Sequence, residues 1–321
     1  MFDWNSAGWS APATGRGVRL HDETLRDGIQ KPSGVDPTIE EKIEIVHLLD
    51  KLGVGSVNVG LPGAGPRAMA DVLTLCREIA DNGLSIRPGC AGRTVISDLA
   101  PIVEVSQRVG IEVEVLTFIG SSPIRQLAES WSVDLIRKRS AEAISFAVGE
   151  GLPTTYVTED TTRSHPRALY DLFRSAIDQG VSRLCLCDTV GHATPDGTRN
   201  VVRFTRDVIE GAGVDVGIDW HGHNDRGFAL GNSLRAMECG ADRLHGCVVG
   251  IGERVGNTPL DLLLVSLTHM GLLGGQSLDA LPRLCQLVSE ATAFDIPSNY
   301  PLYRGEGPAP LVPHGGPWPD D

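Results

Sequence analysis

Short β-branched runs alternate with longer amphipathic stretches along most of this chain, and that alternation constrains the fold more than any other feature. Eight runs predict strands at 18–22, 56–61, 84–91, 111–119, 153–159, 182–189, 215–223 and 243–250, separated by stretches of helical length such as 38–52 and 195–211. Strand, crossover helix and strand in repeated order build a parallel sheet. Eight such units within about 255 residues is the size of a closed (β/α)8 TIM barrel of the α/β class. Pro37 and Pro195 fall where a first helical turn tolerates a missing N–H, with Asp36 and Thr194 before them as caps. An open doubly wound sheet is the competing arrangement, but the glycine fingerprint expected after its first strand is absent. Gly60-Leu-Pro-Gly63-Ala-Gly65 has no nucleotide-binding spacing and reads as a tight turn, with a phosphate cradle as the alternative.

The pattern divides the chain into an N-terminal tail, 1–17, a barrel, 18–275, and a short C-terminal extension, 276–321, with a helix through Thr292 and then irregular Pro- and Gly-rich sequence. At 321 residues the core needs no covalent staple, and the seven cysteines, scattered apart from Cys185 and Cys187, read as reduced core residues. Residues 1–17 lack the basic-then-apolar order of a signal peptide, and no stretch has the apolar length of a membrane span, so a cytoplasmic protein is expected. A formal net charge of -13 argues against nucleic acid or an anionic membrane surface as partner.

In barrel enzymes the reacting groups project from the C-terminal ends of the strands. Here those ends are polar: His21-Asp-Glu-Thr-Leu-Arg-Asp-Gly28 at the first, Thr158-Glu159-Asp160 at the fifth, Asp188-Thr189 at the sixth, His221-Gly-His-Asn-Asp225 at the seventh. Strand alternation puts His221 and His223 on one side, facing the barrel axis, where two neutral imidazoles suit a divalent metal. Asp27, brought near by closure of the barrel, is the natural third ligand, and Asn257 is a fourth oxygen donor. The alternative is a pair of hydrogen-bonded core histidines, against which stands the run Asn224-Asp225-Arg226 that follows them. Arginines recur after seven of the eight strands, as Arg26, Arg67, Arg93, Arg125, Arg163, Arg226 and Arg254. Their planar forks suit carboxylates and phosphates, while some must pair with acids on the same rim. Substrate binding is accordingly assigned to Arg93, Arg125, Thr158 and Arg163, with Arg125 suited to a second carboxylate or a phosphonate.

Asp22-Glu-Thr-Leu-Arg-Asp-Gly28 resembles the motif that opens the metal-dependent acyl-transfer barrels called DRE-TIM metallolyases. His221-Gly-His-Asn-Asp-Arg226, Gly250-Ile-Gly-Glu-Arg-Val-Gly-Asn257, Thr117-Phe-Ile-Gly-Ser-Ser-Pro123 and Asp188-Thr-Val-Gly191 are similar to segments of its 2-isopropylmalate, homocitrate and citramalate synthase branch, so the likeness runs from residue 18 to about 300. The resemblance implies a Claisen-type condensation of acetyl-CoA with a 2-oxo acid, by a homodimer holding Mg2+, Mn2+ or Zn2+ at Asp27, His221, His223 and Asn257. It also implies that Arg26 polarises the oxo acid, that Glu159 lies at the substrate site and that Thr189 contacts the substrate carboxylate. After Pro301 the chain departs from the branch, whose lid histidine and tyrosine have only His314 and Tyr303 as counterparts nearby. No regulatory domain is expected.

Three rival functions share this barrel. A lyase of the 3-hydroxy-3-methylglutaryl-CoA type needs a cysteine in its catalytic loop, but 249–257 has none and Cys247 lies just before it. A biotin-dependent carboxyltransferase needs a lysine where Cys187 stands. A metal-binding scaffold of weak activity, lacking the usual lid, is the third.

Overall fold

The computed structural model describes residues 17–31, 34–275 and 277–302. Eight parallel strands close on themselves in chain order: β1 Arg19–Asp22, β2 Ser56–Asn58, β3 Arg87–Arg93, β4 Glu114–Gly120, β5 Thr154–Glu159, β6 Arg183–Asp188, β7 Gly217–Gly222 and β8 Arg243–Gly246. The ring closes where Leu20 and His21 of β1 pair with Leu244 and His245 of β8. Among the described residues ten α-helices surround it: α1 Ile39–Lys51, α2 Pro66–Asp81, α3 Ile96–Val109, α4 Pro123–Glu129, α5 Val133–Gly149, α6 Pro166–Asp178, α7 Pro195–Ala212, α8 Ala229–Glu238, α9 Leu260–His269 and α10 Leu281–Ala291. The expected TIM barrel is thus the fold. None of the helices among the described residues is long and apolar enough to cross a membrane.

Local chemistry explains where the elements begin. Thr194 caps α7 by accepting from the Gly197 N–H, as its position before Pro195 suggests. Helix α1 starts later than Asp36 and Pro37 imply, because Thr38 and Glu41 form a reciprocal capping box. Asp36 instead pairs with Lys42 and Arg67. Strand β3 also starts later than residue 84, since the Asp50 carboxylate accepts from the N–H groups of Ser85 and Ile86 and draws that segment onto the end of α1. Strand β8 is shorter than 243–250: after Gly246 the chain turns at Val248–Gly250. Helix α4, which the strand-and-helix alternation does not announce, interrupts the path from β4 to α5. Helix α10 lies within the expected extension, and its Leu281, Leu284, Leu287 and Val288 join the apolar core that the barrel shares with its helices.

The barrel interior is not uniformly apolar. Across its lower level Arg243, fully buried, grips Glu114 through both terminal nitrogens at 2.6 Å and Asp219 through Nε at 2.9 Å. Arg183 holds the other Asp219 oxygen at 2.5 Å and also binds Asp242. A Cβ at position 217 would overlap the Arg183 guanidinium, so Gly217 makes room for it. Buried charges persist only when each has its counter-charge and hydrogen bonds. Burial alone would raise the Glu114 pKa, but Arg243 brings it down to about 2. Its stabilising contribution is therefore complete above the ordinary carboxylate range and is lost as pH falls toward 2. Replacing Arg243 by Met leaves Glu114 and Asp219 short of a partner, and we expect a loss of about 3–5 kcal/mol in urea unfolding at neutral pH. The deficit should shrink in acid, where those carboxylates protonate.

Candidate active site at the barrel mouth

Above that level the mouth is lined by side chains from nearly every strand. From β7 and the residue after it, His221 and His223 turn inward, and their Nε2 atoms lie 3.3 Å apart. Asp27, from the loop after β1, places Oδ2 at 3.1 Å from His221 Nε2 and 3.6 Å from His223 Nε2. All three are buried. Donors about 2.1 Å from a single ion stand about 3.0–3.4 Å from one another, so the spacing fits a common divalent metal. Asn257 pairs with His223 through a backbone bridge, and its side-chain N–H donates to the Ile251 carbonyl at 3.1 Å. Its Oδ1 is buried and has no hydrogen-bond partner, which fits it to be an oxygen ligand of a cation. A Cβ at position 252 would collide with the Asn257 amide, so the glycine there lets the loop carry it.

The electrostatics match that use. Burial would raise the Asp27 pKa, yet the Arg26 charge and the His221 hydrogen bond hold its carboxyl well below the ordinary range. Burial, helped by the neighbouring His221, lowers His223 to about 4, so its ring is neutral at pH 7, the form that binds metal. Arg26 is fixed by Glu23, whose Oε2 accepts from Nε at 2.8 Å and lies 2.7 Å from Nη2, and it comes within 3.7 Å of Asp27. Glu23 in turn accepts from Asn58 at 3.1 Å and stands 3.4 Å from His21 and 3.3 Å from His245. His245 reaches Asp219 at 3.0 Å, which links the mouth to the ionic level below.

Arg26, Asp27, Glu159, Thr189, His221 and His223 all line one cavity. Burial raises the Glu159 pKa above its ordinary value. Thr189 accepts from the Asp160 N–H through its hydroxyl at 2.8 Å. The other rim residues go elsewhere. Arg93 is held bidentate by Asp98 at 2.6 and 3.0 Å, Arg163 by Asp160 at 2.8 and 2.7 Å, and Arg254 by Asp225 at 2.8 and 3.0 Å. Arg67 pairs with Asp36. Thr158 is buried against Thr161 and donates to the Cys185 carbonyl rather than into the cavity. Arg125 lies between Glu159 at 3.3 Å and Glu129 at 3.4 Å, in a neighbouring hollow. The arginine ring is therefore mostly a set of rim ion pairs. His314 and Tyr303 lie outside the described residues. Cys247 is fully buried and absent from the cavity lining.

Glu23 and His245 were not singled out as site residues from sequence, although alternation along β1 and β8 puts His21, Glu23 and His245 on the inner face. His21 and Glu23 with His245, and Cys185 and Asp219 with His245, also cluster closely enough to hold a cation. Glu23 Oε2, however, is already engaged by Arg26 and Asn58 and both Asp219 oxygens by Arg183 and Arg243, while Glu23 Oε1 faces His21 and His245.

Fold and mouth together define a (β/α)8 barrel with a three-residue Asp-His-His centre and one adjacent arginine. A profile of the HMGL-like family matches residues 17–288, and the chain belongs to that family. It is 35% identical over 285 residues to homocitrate synthase AksA from Methanopyrus kandleri, covering 88% of this chain and 68% of the relative. Against 2-isopropylmalate synthase from Pyrococcus furiosus it is 31% identical, covering 88% of this chain and 56% of the relative. The fold is shared with hydroxymethylglutaryl-CoA lyase from Pseudomonas aeruginosa at a TM-score of 0.70 and 19% identity, over 87% of this chain and 93% of that one.

Replacing Asp27 or His223 by Ala should abolish tight Mn2+ binding, measured by the loss of free-ion electron paramagnetic resonance signal on titration. Asn257→Ala should weaken it by about 10-fold. Parent-like affinity in Asp27→Ala would remove the metal from this site.

Proposed function

We propose that this chain is an acyltransferase that condenses acetyl-CoA with a 2-oxo acid, joining the thioester methyl carbon to the ketone carbon and releasing CoA after hydrolysis to give a 2-substituted malate. The homocitrate and 2-isopropylmalate synthase relatives support the reaction class. The observation that carries it to this site is the convergence of Asp27, His221 and His223 within one cavity, 3.7 Å from the Arg26 guanidinium at its nearest approach. In this reading Asp27, His221, His223 and Asn257 hold a divalent cation, Mg2+, Mn2+ or Zn2+. When bound, such an ion supplies Lewis-acid polarisation of a ketone and carboxylate.

The chain's own groups supply the rest. Arg26 is a fixed donor beside the place where negative charge develops on the ketone oxygen, and its clamp on Glu23 keeps it oriented without reorganisation during reaction. Thr189, just after β6, and Glu159, the last residue of β5, face the same cavity. Burial shifts the Glu159 carboxyl upward from its ordinary value while Arg125 opposes that shift. Cys247 is fully buried and does not line the cavity, which does not favour the lyase reading with its loop cysteine. The net charge of -13 supports small molecules rather than nucleic acid as ligands. The reading includes a cytoplasmic homodimer, for which the family resemblance is the support.

Incubation with Mg2+, Mn2+ or Zn2+, acetyl-CoA and a panel of 2-oxo acids should release free CoA thiol in an acid-dependent manner. Arg26→Ala should lower kcat by about 10²–10³ with metal binding retained. Absence of acid-dependent thiol release across the panel would overturn the synthase assignment.

A further inference from the structure

The mouth has two unlike halves. On β1, β7 and β8 the lining is Glu23, Arg26, Asp27, His221, His223 and His245. On β3 to β6 it is Ala91, Leu116, Phe118, Val157, Cys185 and Cys187, with Glu159 and Thr189 only at the top. Register makes this second half one continuous patch: Ala91 stands opposite Leu116, Phe118 opposite Val157, and Val157 opposite Cys185. The two thiols, 3.9 Å apart, behave there as small apolar groups, and burial keeps Cys185 protonated.

Charge completes the contrast. Among the described residues that line the cavity, Arg26 is the one lysine or arginine, and it sits at the metal-binding end. The charge on the opposite side is the carboxylate of Glu159, near which Glu253 comes from the loop after β8. Arg125 cannot readily turn in, for its stem packs over Gly120, where an added Cβ would meet its Cβ, Cγ and Nε, and its head is held between two glutamates. A second carboxylate on the substrate would thus meet apolar side chains and like charge with no counter-cation, an arrangement that strongly disfavours binding.

Resting on the synthase reading for its 2-oxo acid, we propose that the substrate carries an apolar side chain lodged against Ala91, Leu116, Phe118, Val157 and Cys185, and that dicarboxylic oxo acids are rejected. Leu116 and Val157 set the depth of that wall.

Calorimetric titration of the Mn2+-loaded protein with 3-methyl-2-oxobutanoate and with 2-oxoglutarate, in the absence of acetyl-CoA, tests this directly. The apolar acid should bind at least about 10-fold more tightly. Equal or tighter binding of 2-oxoglutarate, or no binding of the apolar acid, overturns the proposal. Leu116→Ala should shift preference by about 10-fold toward the longer 4-methyl-2-oxopentanoate, and Val157→Lys should narrow the gap to 2-oxoglutarate. If Val157→Lys misfolds by circular dichroism, the parent and Leu116→Ala titrations still decide. An unchanged ratio in folded Leu116→Ala removes Leu116 from the wall. Tight apolar-acid binding without thiol release would overturn the synthase reading while leaving the wall assignment in place; thiol release with 2-oxoglutarate alone would do the reverse.

Discussion

A continuous column of paired charge runs up the inside of this barrel. Glu114 and Asp219 share Arg243, Asp219 binds His245, His245 approaches Glu23, and Glu23 clamps Arg26 at the mouth. In a low-dielectric interior each member is tolerable only because its neighbours are in place, so the column holds strands β1, β4, β6, β7 and β8 in one mutual register. The orientation of Arg26 is then a property of the whole barrel rather than of the loop that bears it. The same holds for Asp27, whose carboxyl is held down by Arg26 together with His221 and His223 against the opposing effect of burial.

The centre is built from short sequence segments held by different devices. His221 and His223 owe their convergence to strand alternation alone. Asp27 needs the turn after β1, where the Arg26 and Gly28 N–H groups donate to the Glu23 carbonyl. Asn257 needs a loop that glycine makes possible: Gly256 adopts φ +94 and packs against the Gly250 carbonyl, and Gly252 leaves room for the amide. Substituting either glycine would displace the Asn257 amide without touching Asp27, His221 or His223.

Much of this was legible in the sequence, unevenly and for physical reasons. The period of two in His221-Gly-His223 and the repeated strand-helix order depend only on neighbours in the chain, so barrel and histidine pair were readable directly. The rim arginines were visible too, but not their partners. Arg93 finds Asp98 and Arg163 finds Asp160 within five residues, and such local pairs compete with substrate for the guanidinium. Arg125 could be placed after β4, yet its sideways direction depends on helix α4, which no hydrophobic period announced. The charged column was the least legible part, because it joins residues as distant as Glu114 and Arg243. Polar residues at inward positions of a strand look like errors until the partner across the barrel is known.

The division of the mouth also bears on how such a protein changes over time. At the mouth the charged groups other than Glu159 lie on or after β1, β7 and β8, which meet at the closure of the ring, whereas the apolar wall lies on the consecutive strands β3 to β6, above the Glu114 and Arg183 that β4 and β6 give to the column. A substitution at Leu116 or Val157 therefore alters one neighbourhood and leaves the column of ion pairs intact. Selection can reshape what the cavity admits by small steps in one arc of the barrel, while the opposite arc, where every residue answers to several others, is held nearly still.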